Sequence, residues 1–135
     1  MRAMATGTGT GIMLCMALLF TGAQVQGAEG GTKVLVHVVS FKFKEGTTPD
    51  QIKTIEEAFR TLKSKIPEVV SYEGGRATGK LDRNKGFMHC SVLTFKSEQD
   101  LDTYTNHPEH QAFKKMLGAM IDDVFVLDFW DNPPQ

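Results

Sequence analysis

VLVHVVSFKF, residues 34–43, is dense in β-branched and aromatic side chains, the types that fit a pleated strand. Its alternate positions divide into Val34, Val36, Val38 and Ser40 on one face and Leu35, His37, Val39, Phe41 and Phe43 on the other. Both faces are mainly apolar. A strand wetted on one side alternates apolar with polar residues, so this one is expected to be covered on both.

Downstream, Lys44-Glu45-Gly46 turns the chain toward Thr48-Pro49-Asp50-Gln51. That is a helix start: Thr48 caps, Pro49 takes the first turn and Gln51 completes a capping box. Ile52, Ile55, Phe59, Leu62 and Ile66 then recur on one helical face, and Pro67 ends the helix. Val69–Thr78 reads as a second strand, with Gly74-Gly75 marking a bulge or a close backbone approach. A polar loop, Gly79–Gly86, leads to a third strand at Phe87–Phe95. Ser97 starts a short helix through Tyr104, His107-Pro108 starts another that turns Phe113, Leu117 and Met120 inward, and Asp122–Trp130 is a closing strand.

Strand, helix, strand, strand, helix, strand is the ferredoxin-like order of an α+β domain, βαββαβ. Both helices of that fold lie on one face of an antiparallel sheet. The other face would here expose Val, Phe and Met over several strands, more apolar area than a soluble monomer shows. Pairing two such faces removes them from water at about 25 cal/mol per Å². The pattern therefore predicts a homodimer in which two sheets form one α/β barrel.

Upstream, residues 1–27 hold a single charge, Arg2, an apolar run from Ile12 to Phe20 and a small-residue exit before Ala28. These are the parts of a cleaved secretory signal peptide, and the run is about half the roughly 20 residues that span a bilayer. The expected division is signal peptide 1–27, linker 28–33, domain 34–130 and tail 131–135, with export to the periplasm or the medium and no membrane attachment after cleavage. Of 15 Lys and Arg against 16 Asp and Glu, the leader takes Arg2 and no acid, leaving 14 against 16. That balance gives no footprint for nucleic acid or an anionic membrane. Cys15 leaves with the leader, so Cys90 has no intramolecular disulfide partner. It reads as a small buried hydrophobe on a strand.

Residues able to carry chemistry are few. His37 and His89 lie on strands, either as bonded core imidazoles or as polar groups lining a pocket. Tyr104-Thr-Asn-His107-Pro-Glu-His110 is denser. His107 caps the helix that Pro108 opens, and His110 falls in its first turn, where the helix end disfavours a protonated ring and leaves a base. Tyr104 can reach the same space and steady a developing oxyanion. A metal bound by His107 and His110 would compete with the capping role, and no acid falls at a recognised spacing on the same face. There is no phosphate-cradling loop, nucleophile elbow or dinucleotide fingerprint.

Together His37-Val-Val-Ser-Phe-Lys-Phe-Lys44, Tyr104 with His107-Pro108-Glu109-His110, and Val126-Leu127-Asp128-Phe129 resemble the stress-responsive A/B barrel (Dabb) domain family. The run from Thr48 to Pro67 and Gly86-Phe-Met-His89 fit the same pattern, and the resemblance spans about Val34 to Phe129. It implies ferredoxin-like subunits paired in a dimeric α/β barrel. The family includes plant stress-induced proteins and a plant polyketide cyclase that closes a ring by aldol chemistry without metal or cofactor. By position, the resemblance implies His110 as the catalytic base, Tyr104 as its tyrosine partner and His37 as the assisting strand histidine, with no cofactor and no metal.

Two readings of function follow. One is an exported, stress-related domain that binds a small apolar or carbonyl ligand in the barrel. The other is a cofactor-independent enzyme acting on a small carbonyl or polyketide-like substrate. A cofactor-free monooxygenase on the same architecture rests on fold analogy alone.

Overall fold

Apolar on both faces, β1 (Val34–Phe43) sits inside a sheet of order β2-β3-β1-β4, in which β2 is Ser71–Arg76, β3 is His89–Phe95 and β4 is Ile121–Asp131. Every pairing is antiparallel. The helices are α1 (Pro49–Lys65), α2 (Glu98–Asn106) and α3 (Pro108–Gly118). The computed structural model describes residues 33–79 and 83–131. The expected signal peptide, linker residues 28–32, loop residues 80–82 and tail residues 132–135 lie outside them. The described domain has a ferredoxin-like α+β fold.

The capping box forms as its residues require: Gln51 N–H donates to Thr48 Oγ1 at 3.3 Å, and Thr48 N–H to Gln51 Oε1 at 2.9 Å. The apolar stripe of α1 delivers Ile55, Phe59 and Leu62 to the core. Ile66 takes an extended conformation (φ −121°) ahead of Pro67 and ends the helix. β2 and β3 are shorter than the sequence suggests. Single backbone bonds, Val70 N–H to Thr94 O (2.9 Å) and Ala77 N–H to Met88 O (2.8 Å), prolong their ladder at each end. Beyond them Val69 turns back onto Ile66, and Phe87 onto Asn84.

Gly74 is a close approach and not a bulge, since β2 runs in unbroken register with β3. A Cβ there would lie 2.5 Å from the Tyr72 hydroxyl, which crosses the strand toward Ser91 Oγ at 3.2 Å.

The register sorts the sheet into two faces. On one, Leu35, His37, Val39 and Phe41 of β1 align with Phe95, Leu93, Ser91 and His89 of β3 and with Trp130, Asp128, Val126 and Val124 of β4. The helices cover this face, and Phe59 of α1 stacks on Phe113 of α3 at 4.9 Å to close the core. No helix covers the opposite face among the described residues. Phe125, Leu127 and Phe129 of β4 stand there 45–49% exposed. Cys90 belongs to this face and is exposed, not buried as its place on an apolar strand suggested. Among the described residues, helices therefore cover only one of the two faces of β1.

Candidate functional site

The site begins with a broken helix. Proline disfavours helical torsions in the residue before it, and His107 is extended (φ −62°, ψ 137°), ending α2 and capping α3 at once. Its Nδ1 accepts from Glu109 N–H at 3.2 Å. The corner brings Tyr104, in the last turn of α2, onto His110, in the first turn of α3, with ring centroids 4.3 Å apart. Carbonyls at a helix end lack intrahelical donors. At this one, the Thr105 carbonyl accepts from His110 Nδ1–H at 3.1 Å and from Gln111 Nε2–H at 2.7 Å. A carbonyl can only accept, so the His110 proton sits on Nδ1 and Nε2 keeps its lone pair.

β1 brings the third residue from below. His37 lies 6.0 Å from Tyr104, edge to face, and its Nδ1–H donates to Asp128 Oδ1 at 2.5 Å. The Asp128 contact orients the ring and leaves Nε2 of His37 open as well. All three residues named by the sequence line one cleft of about 630 Å³ between the helices and the β4 edge of the sheet. Val39, Phe41, Val124, Val126 and Leu117 make most of it apolar, with Lys114 and Asp102 also in the lining. The cleft exists because β4 extends the sheet past the helices: Val124 and Val126, on the helix side, are 41% and 49% exposed. It does not lie on the bare face that a two-sheet barrel would enclose. His37 points to the helix side, so the three residues open onto this cleft.

The electrostatics favour neutral groups. Burial lowers the His110 pKa from its ordinary value of 6.5, and the nearby charge of Lys114 adds to this against the opposing Thr105 carbonyl. The ring is thus held neutral, chiefly by burial where the sequence suggested the helix end. Tyr104 is 1% exposed, and burial raises its pKa well above the usual tyrosine range, so it keeps its proton. Its hydroxyl is buried and has no hydrogen-bond partner among the described residues. An unpaired buried hydroxyl costs about 1–3 kcal/mol.

Asp128 and the pairing of His89 with Glu56 were not given roles from the sequence. Asp128 carried a signal: it interrupts the apolar alternation Val124, Val126, Trp130 on one face of β4. The pairing with Glu56 joins a strand to a helix, and local pattern does not show it. The polar groups around this corner have other partners. Glu109 binds Lys65 at 2.7 Å, His107 caps α3, and no three His, Cys, Asp or Glu residues cluster to hold an ion among the described residues.

Comparison with known proteins agrees with this architecture. A family model described as a stress responsive A/B barrel domain matches residues 35–131. A stress-response A/B barrel domain-containing protein of Arabidopsis thaliana is 35% identical over 94 residues, covering 69% of this chain and 82% of that protein. Olivetolic acid cyclase of Cannabis sativa is 23% identical over 93 residues, 69% of this chain and 92% of the cyclase. Among solved structures, a hydroxynitrile lyase from Passiflora edulis superposes with a TM-score of 0.71 at 23% identity, covering 78% of this chain and 99% of the lyase. A dimeric ferredoxin-like protein from Thermobifida fusca does so with a TM-score of 0.64 at 24% identity, covering 76% and 94%.

Proposed function

The chain belongs to the stress-responsive A/B barrel domain family, and on that premise we propose that its cleft binds a small, mainly apolar carbonyl compound and moves a proton on it. One observation carries this reading: His37, Tyr104 and His110 meet in a single cleft, with both histidines anchored through Nδ1. Neutral His110 takes the proton α to the carbonyl on Nε2, and the C–H electron pair moves into the enolate. The Tyr104 hydroxyl, still protonated and in need of an acceptor, is uncovered by a local side-chain shift when substrate binds and then donates to the enolate oxygen. His37, steadied by Asp128, holds or polarises the carbonyl. The imidazolium then returns its proton, so no cofactor enters the scheme. Two relatives bear enzyme names, a cyclase and a lyase, which is compatible with proton transfer at this place. The volume falls within the roughly 300–1,000 Å³ of small-molecule sites.

The test is exchange of α-protons for deuterium in small ketones such as phenylacetone, followed by proton NMR for wild type and His110→Ala. Faster exchange with wild type, lost in the variant, supports the base. Equal rates overturn it, and saturable binding without exchange would leave a ligand-binding domain.

The same reading includes a homodimer and export. The bare apolar face of β4 supports pairing with a second copy, as does the description of a solved neighbour as dimeric. Export is supported by Arg2 followed by the apolar run Ile12–Phe20.

A further inference from the structure

On the other side of the core, between α1 and the β2–β3 edge, lies a second cavity of about 130 Å³. Its polar residues come from three elements, and Phe41 of β1 closes it from below. Edge strand β2 supplies Tyr72, Gly74 and Arg76 from one face, β3 supplies His89 and Ser91 from the facing positions, and α1 supplies Glu56 and Arg60 one turn apart. His89 is 5% exposed, meets the Phe43 ring edge-on at 5.0 Å and donates from Nδ1 to the Glu56 carboxylate. Its Nε2 has no partner among the described residues. Arg60 lies over the Tyr72 ring, 5.5 Å from its centroid. Neither Arg60 nor Arg76 is ion-paired to a carboxylate among the described residues. Gly74 keeps the middle of the strand face empty, because a Cβ would collide with the Tyr72 hydroxyl.

Two guanidinium groups against one carboxylate leave the cavity with surplus positive charge. Its volume equals roughly four water molecules at about 30 Å³ each, room for a compact anion. We propose that this cavity is a second binding site, for a small oxyanion of the carboxylate or phosphate type. Arg60 and Arg76 supply its charge and the hydroxyls of Tyr72 and Ser91 its polar contacts, while His89, held by Glu56, forms its buried wall. The site is separate from the cleft and does not depend on the chemistry proposed there. Phe41 and Phe59 line both.

The experiment titrates the whole protein with inorganic phosphate and, separately, with acetate at constant ionic strength. Ring resonances of His89, Tyr72, His37 and His110 are followed by NMR. Saturable shifts at His89 and Tyr72 are expected, with His37 and His110 unmoved. Loss of one charge-assisted contact in Arg76→Gln or Arg60→Gln should weaken binding roughly tenfold; both side chains are exposed, so the fold is not at stake. Saturation by phosphate alone identifies a tetrahedral anion, by acetate alone a carboxylate, and either supports the site. Linear shifts with both anions, shifts confined to His37 and His110, or undiminished affinity in both arginine variants would overturn it.

Discussion

Tyr104 shows how a single atom can be held against stability. Its hydroxyl is buried without a partner among the described residues, so Tyr104→Phe removes an uncompensated desolvation cost and keeps the ring stack on His110. Denaturant unfolding should show the variant more stable by about 1 kcal/mol, while any α-proton exchange falls. A variant less stable than wild type would mean that the hydroxyl has a partner in solution. His110 makes the complementary case. Its folded pKa lies below the ordinary 6.5, so the unfolded chain binds the proton more readily. Stability should therefore decline as pH falls from about 6.5, and His110→Gln should remove that part of the slope. Unfolding curves collected from pH 7 to pH 5 for both proteins test the sign directly.

At the scale of elements, side-chain caps start all three helices on the cleft side of the sheet, Thr48 for α1, Ser97 for α2 and His107 for α3. Thr48→Ala breaks the reciprocal box at the start of α1 and should cost about 1 kcal/mol, read as a lower denaturation midpoint with an unchanged slope. The box was legible because its chemistry is local, four residues in a row. The same holds for the His107 corner, since Pro108 dictates the torsions of its neighbour. The meeting of Tyr104 with His110 follows from that corner, whereas the position of His37 beneath them depends on strand order and register. Cys90 was misread for the same reason: its strand was recognised, but which face the helices cover is decided by topology. Asp128 and Glu56 sit 91 and 33 residues from their histidines, beyond the reach of any periodicity. What the sequence could show of the fold was therefore most of its elements, and of the site the three residues but not their anchors.

For the whole molecule, the decisive surface is the bare sheet face carrying Phe125, Leu127 and Phe129. Leu127→Asp places a charge in the middle of it and should convert a dimer into monomers in sedimentation equilibrium. Because Leu127 points away from the cleft, any ligand binding there should survive. A wild-type protein that sediments as a monomer would remove the proposed pairing altogether. The sheet also acts as a partition. One side carries the cleft and the proposed pairing would use the other, so two paired chains would carry their cavities on opposite outer flanks, with two β-layers between them. Such sites cannot pass an intermediate from one to the other, nor share a residue through the paired faces. Mixed dimers with one His110→Ala subunit should then work at half the wild-type rate, each chain turning over independently of its neighbour's defect.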